Sequence, residues 1–359
     1  MKVIVETPSR LHFGLLSWGS TGGRRFGGTG LMIERPGVSI EVEPAADWSG
    51  SGPAADRFLA IARGIADRIA RIDERTNLRG AHIHINQSSF EHVGLGFGTQ
   101  ASLAVAAALL RIARTIDLSP IAHTKALSPE RTTDLSPNEP TSDLSTTART
   151  TDFSIEKLAA IAGRGRRSGI GVHGFVHGGL IVDGGRKNDD SAGIPPLVAR
   201  LAFPADWSVL IVIPQTPVGL HGESEIDAFR RLPPPSDRTI DRLCRLVLLE
   251  LAPAVAEADF NAFAAALSEL ERTVGESFAA VQGGVRAHPI SDQIARTLEN
   301  EPVAALGQSS WGPTLYAFSC ANQNEKTSIA KRIREGFDLG PDRVFWTRAS
   351  DRGASIREA

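Results

Sequence analysis

The segment best suited to bind an anion is a glycine-rich stretch directly before an alanine-rich helix. It reads Phe90-Glu-His-Val-Gly-Leu-Gly-Phe-Gly-Thr-Gln-Ala101. Alternating glycines let a backbone turn tightly and approach a ligand. The start of a helix offers unpaired N–H groups and a positive dipole end, which favour phosphate. The alternative is a turn that serves packing alone. The predicted phosphate-binding residues here are Gly94, Gly96, Gly98, Thr99 and Gln100.

Arginines near glycines supply further donors for anions, because a guanidinium binds phosphate or carboxylate through two parallel hydrogen bonds. The arginines assigned this role are Arg10, Arg24, Arg25, Arg164, Arg166 and Arg167. Arg166 is also assigned to catalysis. Both groups also have a structural explanation without a function. The 164–167 cluster could complement the negative end of a helix, and Arg24 and Arg25 could lie at a solvated loop tip.

Two histidines are candidates for a general base, because histidine titrates near neutral pH. His12 and His173 both lie in glycine-flanked segments, and the sequence does not rank them. A third glycine-containing segment follows Gln308. Its predicted substrate-binding residues are Ser309, Ser310 and Trp311. Trp311 either stacks on an aromatic substrate or fills the core. No metal ligands can be assigned from spacing.

The composition narrows the class of protein. The 359 residues carry 39 Lys and Arg against 41 Asp and Glu, a net charge of −2 that argues against nucleic-acid binding. The two cysteines cannot form a disulfide framework. No apolar run approaches the roughly 20 residues that span a bilayer, and the N-terminus reads as a strand rather than a signal peptide. We therefore expect a cytoplasmic protein without a membrane partner.

The elements that must position these residues form two predicted domains, 1–195 and 196–359. The first contains strands near 3–16, 38–43 and 81–85, and helices near 56–75, 99–114 and 154–164. Residues 117–153 repeat the unit Asp-Leu-Ser-Pro with few apolar residues, which predicts a low-complexity insertion. The glycine-rich segment 169–185 is predicted to be a pair of strands, and this spacing would separate His173 and His177 by about 13 Å.

The second domain shows a β-α-β-β-α-β order with an enlarged first helical segment, which is typical of a ferredoxin-like fold. Its strands are predicted near 207–213, 303–308, 314–319 and 343–347. The whole chain is therefore assigned to the α+β class.

Three motifs in order resemble the GHMP superfamily of small-molecule kinases: Pro8-Ser-Arg-Leu-His-Phe-Gly14, Gly94-Leu-Gly96 and Gln308-Ser-Ser-Trp-Gly-Pro-Thr-Leu-Tyr316. This resemblance implies an N-terminal ribosomal-S5-domain-2-like domain and a C-terminal ferredoxin-like domain. Two features depart from the kinases. Phe97 stands where they usually carry serine, and Ser168-Gly-Ile-Gly-Val-His-Gly174 lacks the aspartate that they place in this segment.

One branch of the superfamily fits these departures. Five stretches resemble the β-ribofuranosylaminobenzene 5′-phosphate synthase family; besides the first and last motifs above, they are 27–33, 92–100 and 163–171. That resemblance implies condensation of 5-phosphoribosyl 1-pyrophosphate with 4-aminobenzoate, release of carbon dioxide and pyrophosphate, and a role in tetrahydromethanopterin biosynthesis. It implies Mg²⁺ and no ATP, and it leaves a homodimer open. The alternatives are an ATP-dependent GHMP-type kinase and a non-catalytic ligand-binding protein on this fold.

Overall fold

The computed structural model describes residues 1–19, 23–72, 78–117, 154–187, 193–216, 219 and 222–359. The predicted low-complexity insertion at 117–153 lies outside the described residues except for residue 117. Among the described helices, none is long and apolar enough to cross a membrane.

The first half of the chain folds as strands covered by helices. Its elements are β1 (Val3–Leu15), β2 (Arg24–Arg25), β3 (Gly28–Pro44), β4 (Ser49–Ser51), α1 (Ala55–Ile72), β5 (Ala81–Gln87), α2 (Phe97–Asp117), α3 (Ile155–Ala162), α4 (Ile170–His177), β6 (Leu180–Asp183), β7 (Arg186–Lys187) and β8 (Leu197–Leu201). The three predicted helices, together with β1 and β5, have bounds within a few residues of the prediction. Strand β3 begins ten residues before the predicted strand at 38–43, and the sequence did not predict β2, β4 or β8. The segment 169–185 also differs.

The second half is richer in helices. Its elements are β9 (Ser208–Val212), α5 (Gly222–Arg231), α6 (Asp237–Arg245), a π-helix (Leu246–Leu251), α7 (Ala252–Ala256), α8 (Phe260–Gln282), α9 (Pro289–Leu298), β10 (Ala304–Gln308), β11 (Leu315–Ser319), α10 (Gln323–Phe337), β12 (Val344–Arg348) and β13 (Ser355–Glu358). All four predicted strands of this half are present.

Two sheets organise these elements. The larger runs β13-β1-β3-β5-β4, and β6 pairs with both β3 and β8. The smaller runs β10-β11-β9-β12 and is antiparallel throughout. This is the strand order of a ferredoxin-like domain. Because β8 and the C-terminal β13 both join the larger sheet, the sheets divide the chain after Leu201 rather than after residue 195.

The hydrophobic core has a layer on each side of the larger sheet. One layer packs α1 and α2 on the sheet, with Phe58 and Ile83 fully buried. The other packs the first sheet against the second half and includes Phe13, Phe263 and Phe318. Helix α2 is buried on most sides, because its alanines let neighbouring helices approach closely. Its fixed position fixes the glycine-rich stretch at its start.

The prediction of two strands over 169–185 was wrong. Residues Ile170–His177 form helix α4, and only Leu180–Asp183 form a strand. Periodicity cannot separate a short, fully buried helix from a buried strand, because both are apolar on every side. His173 and His177 therefore lie on successive helical turns, with ring centroids 6.4 Å apart rather than about 13 Å.

Candidate functional site

A cavity of about 900 Å³ lies between the two halves of the molecule. Strand β1, the glycine-rich stretch, helix α8 and the segment around β10 form its walls. Of the predicted site residues, it is lined by Arg10, His12, Gly94, Gly96, Gly98, Thr99, Arg164, Arg166, Arg167, Ser310 and Trp311. Most of the predicted residues thus surround one space, although they come from sequence segments far apart.

The glycine-rich stretch turns sharply into helix α2. Gly94 and Gly96 have φ of +98° and +75°, values that L side chains rarely adopt. The Gly96 carbonyl oxygen accepts the first-turn bonds from the N–H groups of Thr99 and Gln100, at 3.0 and 3.1 Å. No acidic residue lies in the first turn of α2. The positive end of this long helix therefore faces the cavity with no acidic side chain in its own first turn to balance it.

Arg10 lies directly against this turn. Gly96 has a φ that L side chains rarely adopt, and a Cβ there would lie 3.1 Å from the Arg10 Cβ, so glycine is the residue that suits this position. The Nε is shielded from solvent and has no hydrogen-bond partner. Burial lowers the pKa of Arg10 to about 10, and Glu225 and Asp183 act on it only through longer-range attraction. A buried cation with an unused donor is a binding site for an anion.

His12 is buried on β1 beside Arg10. Burial lowers its pKa to about 3, and the positive charge of Arg10 acts in the same direction. The imidazole is therefore neutral at neutral pH and, with no anion beside Arg10, is a weak base. An anion bound to Arg10 would remove part of the repulsion and raise this pKa.

A second group of cations flanks the helix start. The Arg164 guanidinium lies over Gly98 and donates from Nε and Nη2 to the Ser102 hydroxyl, at 3.1 and 2.9 Å. Burial lowers the Arg164 pKa, and the charges of Arg57 and Arg68 lower it further. Arg164 has no carboxylate in ion-pair contact among the described residues. Three guanidinium groups thus repel one another at a point where a phosphate would relieve the repulsion.

Arg166 and Arg167 occupy the loop before α4. Arg167 forms an ion pair of 2.6 Å with Glu225 and lies over the Phe229 ring. Arg166 is exposed at the cavity wall, and its carbonyl oxygen accepts a hydrogen bond from Arg186. Arg167 links the cationic end of the cavity to an aromatic wall. The rings of this wall are Phe26, Phe229, Phe278 and Trp311.

Trp311 both fills the core and lines the cavity, where it could contact an aromatic substrate; the sequence had left these two roles as alternatives. Its ring packs edge-on against Phe278 and Phe229, with centroids 4.8 and 5.4 Å apart, and it belongs to the central core. The same residue lines the cavity. An aromatic ligand would therefore meet a rigid wall that packing already holds in place.

Five predicted site residues lie outside the cavity lining. His173 is buried on α4, where Nε2 contacts the Pro195 carbonyl oxygen at 2.7 Å. Gln100 is buried and donates to the Gly171 carbonyl. Arg24 and Arg25 form the short ribbon β2–β7, and Arg24 donates to the Gly184 and Gly185 carbonyls. Ser309 is fully buried. The structure does not bring His173 to His12, which leaves His12 as the histidine of the predicted pair that faces the cavity.

Two carboxylates near the site were missed from the sequence. Asp183 is buried and accepts hydrogen bonds from Ser168, Gly169 and Gly185, which fixes the loop that carries the 164–167 arginines. Burial raises its pKa. Glu271 lines the cavity from α8. The sequence feature that could have indicated Glu271 is its helical spacing from Val274 and Phe278, because this spacing places all three residues on one face of the helix.

The cavity offers few ligands for a metal. No group of three or more His, Cys, Asp or Glu side chains that could hold an ion occurs among the described residues. Glu91 is the acidic residue of the glycine-rich stretch and lines the cavity, but it already contacts Arg57 and His92 at 3.6 Å. Mg²⁺ commonly binds through one or two carboxylates and substrate phosphates. This donor set fits an ion that arrives with a phosphorylated substrate.

Comparison with known proteins identifies the family. No family model matches the chain. The β-ribofuranosylphenol 5′-phosphate synthase of Archaeoglobus fulgidus is 30% identical over 366 aligned positions, which cover 98% of each protein. The chain belongs to the β-ribofuranosylphenol 5′-phosphate synthase family. The synthase of Methanothermobacter thermautotrophicus is 27% identical, covering 99% of this chain and 98% of that protein. The family resemblance seen in the motifs is confirmed, and the chain is an enzyme of the transferase type.

Solved structures with the same fold belong to the GHMP superfamily. Mevalonate diphosphate decarboxylase from Staphylococcus aureus has a TM-score of 0.59 at 13% identity and covers 99% of this chain and 98% of its own. Homoserine kinase from Cytophaga hutchinsonii has a TM-score of 0.57 at 13% identity, covering 99% and 97%. These neighbours confirm the predicted α+β, GHMP-type fold. The names of the synthases specify a phenol ring, whereas the motif resemblance implied an aminobenzene ring.

Proposed function

We propose that this synthase-family member joins the ribosyl C1′ of 5-phosphoribosyl 1-pyrophosphate to the ring of 4-aminobenzoate, in tetrahydromethanopterin biosynthesis. Carbon dioxide and pyrophosphate leave, and no ATP is used. The observation that carries the proposal is Arg10, a half-buried arginine whose shielded Nε has no hydrogen-bond partner, beside the start of α2 and in the same cavity as an aromatic wall. 4-Hydroxybenzoate is the second candidate acceptor, because the relatives' names specify a phenol.

The atoms of this reaction balance without a redox partner. The C1′–O bond to pyrophosphate breaks as C1′ becomes an oxocarbenium-like centre. The ring carbon that bears the carboxylate attacks C1′ and forms the C–C bond, which leaves the ring cationic. Loss of carbon dioxide returns an electron pair to the ring and restores its aromaticity. An amino or hydroxyl group in the para position makes the ring nucleophilic enough for this attack.

Residues at one end of the cavity would bind the phosphate groups, and residues at the other end would bind the acceptor ring. At the cationic end, Arg10, Arg164 and the N–H groups at the start of α2 would bind the phosphate groups and stabilise the charge that builds on departing pyrophosphate. At the other end, Trp311 and Phe278 would hold the flat acceptor ring. His12 is neutral in the free protein, and an anion bound beside Arg10 would raise its pKa and make it a stronger proton acceptor. The apolar wall would exclude water, which otherwise captures the oxocarbenium centre.

Mg²⁺ is part of the proposal. When bound with the substrate it would neutralise negative charge on the pyrophosphate, and Glu91 is the protein carboxylate best placed in sequence to contact it. A cytoplasmic location and a homodimer are proposed on the family resemblance alone.

The test is product analysis with purified protein. Mg²⁺, 5-phosphoribosyl 1-pyrophosphate and carboxyl-labelled 4-aminobenzoate or 4-hydroxybenzoate are incubated with and without ATP, and released label is trapped as carbon dioxide. We expect release without ATP, together with equal amounts of pyrophosphate and an aryl ribosyl phosphate. Binding of both substrates without release would favour a non-catalytic binding protein. ATP turnover with a small alcohol, and no release, would favour a kinase.

A further inference from the structure

Glu271 places a carboxyl group at the aromatic end of the cavity. Oε1 accepts a hydrogen bond from the Tyr316 hydroxyl, and Oε2 accepts one of 3.1 Å from the Gln308 N–H. A Cβ on Gly307 would come within 2.5 Å of the Glu271 carboxyl carbon, so only glycine leaves this group open. The residue remains partly exposed and lines the cavity. The carboxyl is therefore held in place and still accessible to a ligand.

The carboxyl and the aromatic wall share one helix face. Glu271, Val274, Gly275 and Phe278 are spaced at three, four and seven residues on α8, and all four line the cavity. Phe278 contacts the Trp311 ring at 4.8 Å between centroids. An aromatic ligand seated against Phe278 and Trp311 would thus direct one edge along α8 toward Glu271.

Neighbouring side chains link Glu271 to β1, the strand that carries Arg10 and His12. The Tyr316 ring, whose hydroxyl binds Glu271, contacts Phe13 at 5.3 Å, and Phe13 follows His12 on β1. Backbone bonds continue this link, because Ser310 donates to the His12 carbonyl and receives the Gln308 side chain. In a benzoate that reacts at the carboxyl-bearing carbon, the para substituent points away from C1′. With C1′ at the phosphate-binding end, this substituent would meet the Glu271 carboxyl on the α8 wall of the cavity.

We propose that Glu271 is a catalytic residue that recognises the para substituent of the aromatic acceptor and carries its proton out and back during the reaction. This inference rests on the proposed function and adds to it the group that selects the acceptor.

The proton cycle balances. When the ring carbon attacks C1′, the para nitrogen or oxygen takes up the positive charge and its N–H or O–H becomes strongly acidic. The Glu271 carboxylate accepts this proton and leaves an uncharged cyclohexadienone ring, or its imine for an amino group, that still bears the carboxylate. The C–C bond to the carboxylate then breaks, carbon dioxide departs, and the electron pair flows through the ring to the para atom. Glu271 returns the proton to that atom, so the enzyme ends as it began.

The charged surroundings of Glu271 suit this exchange. Burial raises its pKa to about 8, while Tyr316 on β11, the Gln308 N–H on β10 and Arg286 before α9 stabilise the carboxylate. Strand β1 meets α8 at Gly14, and its titratable residues on the cavity are Arg10 and His12. A carboxyl group of this pKa can both take and return a proton near neutral pH.

Acceptor analogues test the recognition. Carbon dioxide release is measured with 4-hydroxybenzoate, 4-aminobenzoate and 4-methoxybenzoate, of which the last has no para proton. We expect the protein to favour the two proton-bearing acceptors over 4-methoxybenzoate in kcat/KM by on the order of 10²-fold or more. Comparable kcat/KM for all three would overturn the inference while leaving the proposed function intact. No release from any acceptor would overturn both.

Two variants test the residue, with E276Q as the matched control, since Glu276 is exposed on the same helix and outside the cavity. E271Q should lower kcat by about 10²–10⁴-fold, as expected for loss of a general base, with the Kd for 5-phosphoribosyl 1-pyrophosphate unchanged. Y316F keeps the carboxyl but removes a bond that lowers its pKa. Its acidic limb of kcat/KM should therefore move to higher pH. If E271Q matches E276Q, or if E271Q fails to fold and Y316F keeps the parent pH profile, the inference is wrong.

Discussion

The hydroxyl of Ser309 donates a hydrogen bond of 2.8 Å to the carbonyl oxygen of Gly94, 215 positions away in sequence. The same hydroxyl accepts the N–H of His12 at 3.0 Å. One buried side chain therefore ties the glycine-rich turn to β1 and to the segment after β10. The backbones meet so closely that a Cβ on Gly94 would lie 2.2 Å from the Ser309 carbonyl oxygen.

Replacing Ser309 by alanine should weaken both the fold and the phosphate-binding end. The change leaves the buried His12 N–H without its partner, which costs about 1–3 kcal/mol in the free energy of unfolding. Affinity for 5-phosphoribosyl 1-pyrophosphate should fall as well, because the turn that carries Gly94 loses its anchor. Urea unfolding and calorimetry measure the two effects. S328A, on the exposed face of α10, is the control and should change neither.

We expect Arg10 to lower the stability of the unliganded protein and to raise its affinity for the phosphorylated substrate. Its guanidinium is desolvated and has no ion-pair partner among the described residues, so methionine of similar length should raise the melting temperature of the unliganded protein. R10M should also lose measurable affinity for 5-phosphoribosyl 1-pyrophosphate. R332M removes an exposed arginine that pairs with Glu301 and should leave affinity unchanged. A variant R10M that is less stable and binds normally would show that Arg10 serves the fold instead.

The lowered pKa of His12 should make the stability of the protein depend on pH. Its pKa is about 3 in the folded protein and about 6.5 in an unfolded chain. Between these values the unfolded chain binds more protons, so stability is fully present above pH 6.5 and falls as the pH drops toward 3. H12Q should remove this loss, which is on the order of 2 kcal/mol between pH 7 and pH 4.5. Urea unfolding at both pH values measures it, and H84Q at an exposed strand position is the control.

Much of the site could be predicted from the sequence, because short stretches of neighbouring residues determine its local structure. Alternating glycines before an alanine-rich helix predict a turn at a helix start wherever they occur, and Gly94 and Gly96 adopt the positive φ that this requires. The arginines in 164–167 were assigned to anion binding from the chemistry of the guanidinium group, and Arg164 lies against Gly98 of that turn. The ferredoxin-like order also followed from the alternation of strands and helices alone.

Other features depend on contacts that spacing does not encode. His173 lies in a glycine-flanked segment like that of His12, yet it sits on a buried helix and contacts the Pro195 carbonyl oxygen instead of the cavity. Ser309 and Ser310 are neighbours, but Ser309 is fully buried and Ser310 lines the cavity. Glu271 carries no motif, and only the folding of α8 against β10 and β11 gives it chemistry. Such assignments require tertiary structure.

Alanine at two glycines of the same turn should change the stability of the protein in opposite directions. Gly98 lies in the first turn of α2, and a Cβ there would meet only the Arg164 guanidinium, at 3.5 Å. G98A should therefore keep or slightly raise stability, since alanine favours helix by about 0.5–1 kcal/mol over glycine. The added methyl group would still occupy the space where a phosphate meets Arg164, so affinity for 5-phosphoribosyl 1-pyrophosphate should fall.

G96A tests the opposite case. Gly96 has φ of +75°, and a Cβ would press on the Arg10 Cβ at 3.1 Å. Strain of this kind costs on the order of 1–3 kcal/mol, so both stability and affinity should fall. Thermal melts and calorimetry on the two variants separate a phosphate site from a turn that serves packing alone. A packing turn would leave binding intact in G98A, whereas a phosphate site loses binding there while the fold persists.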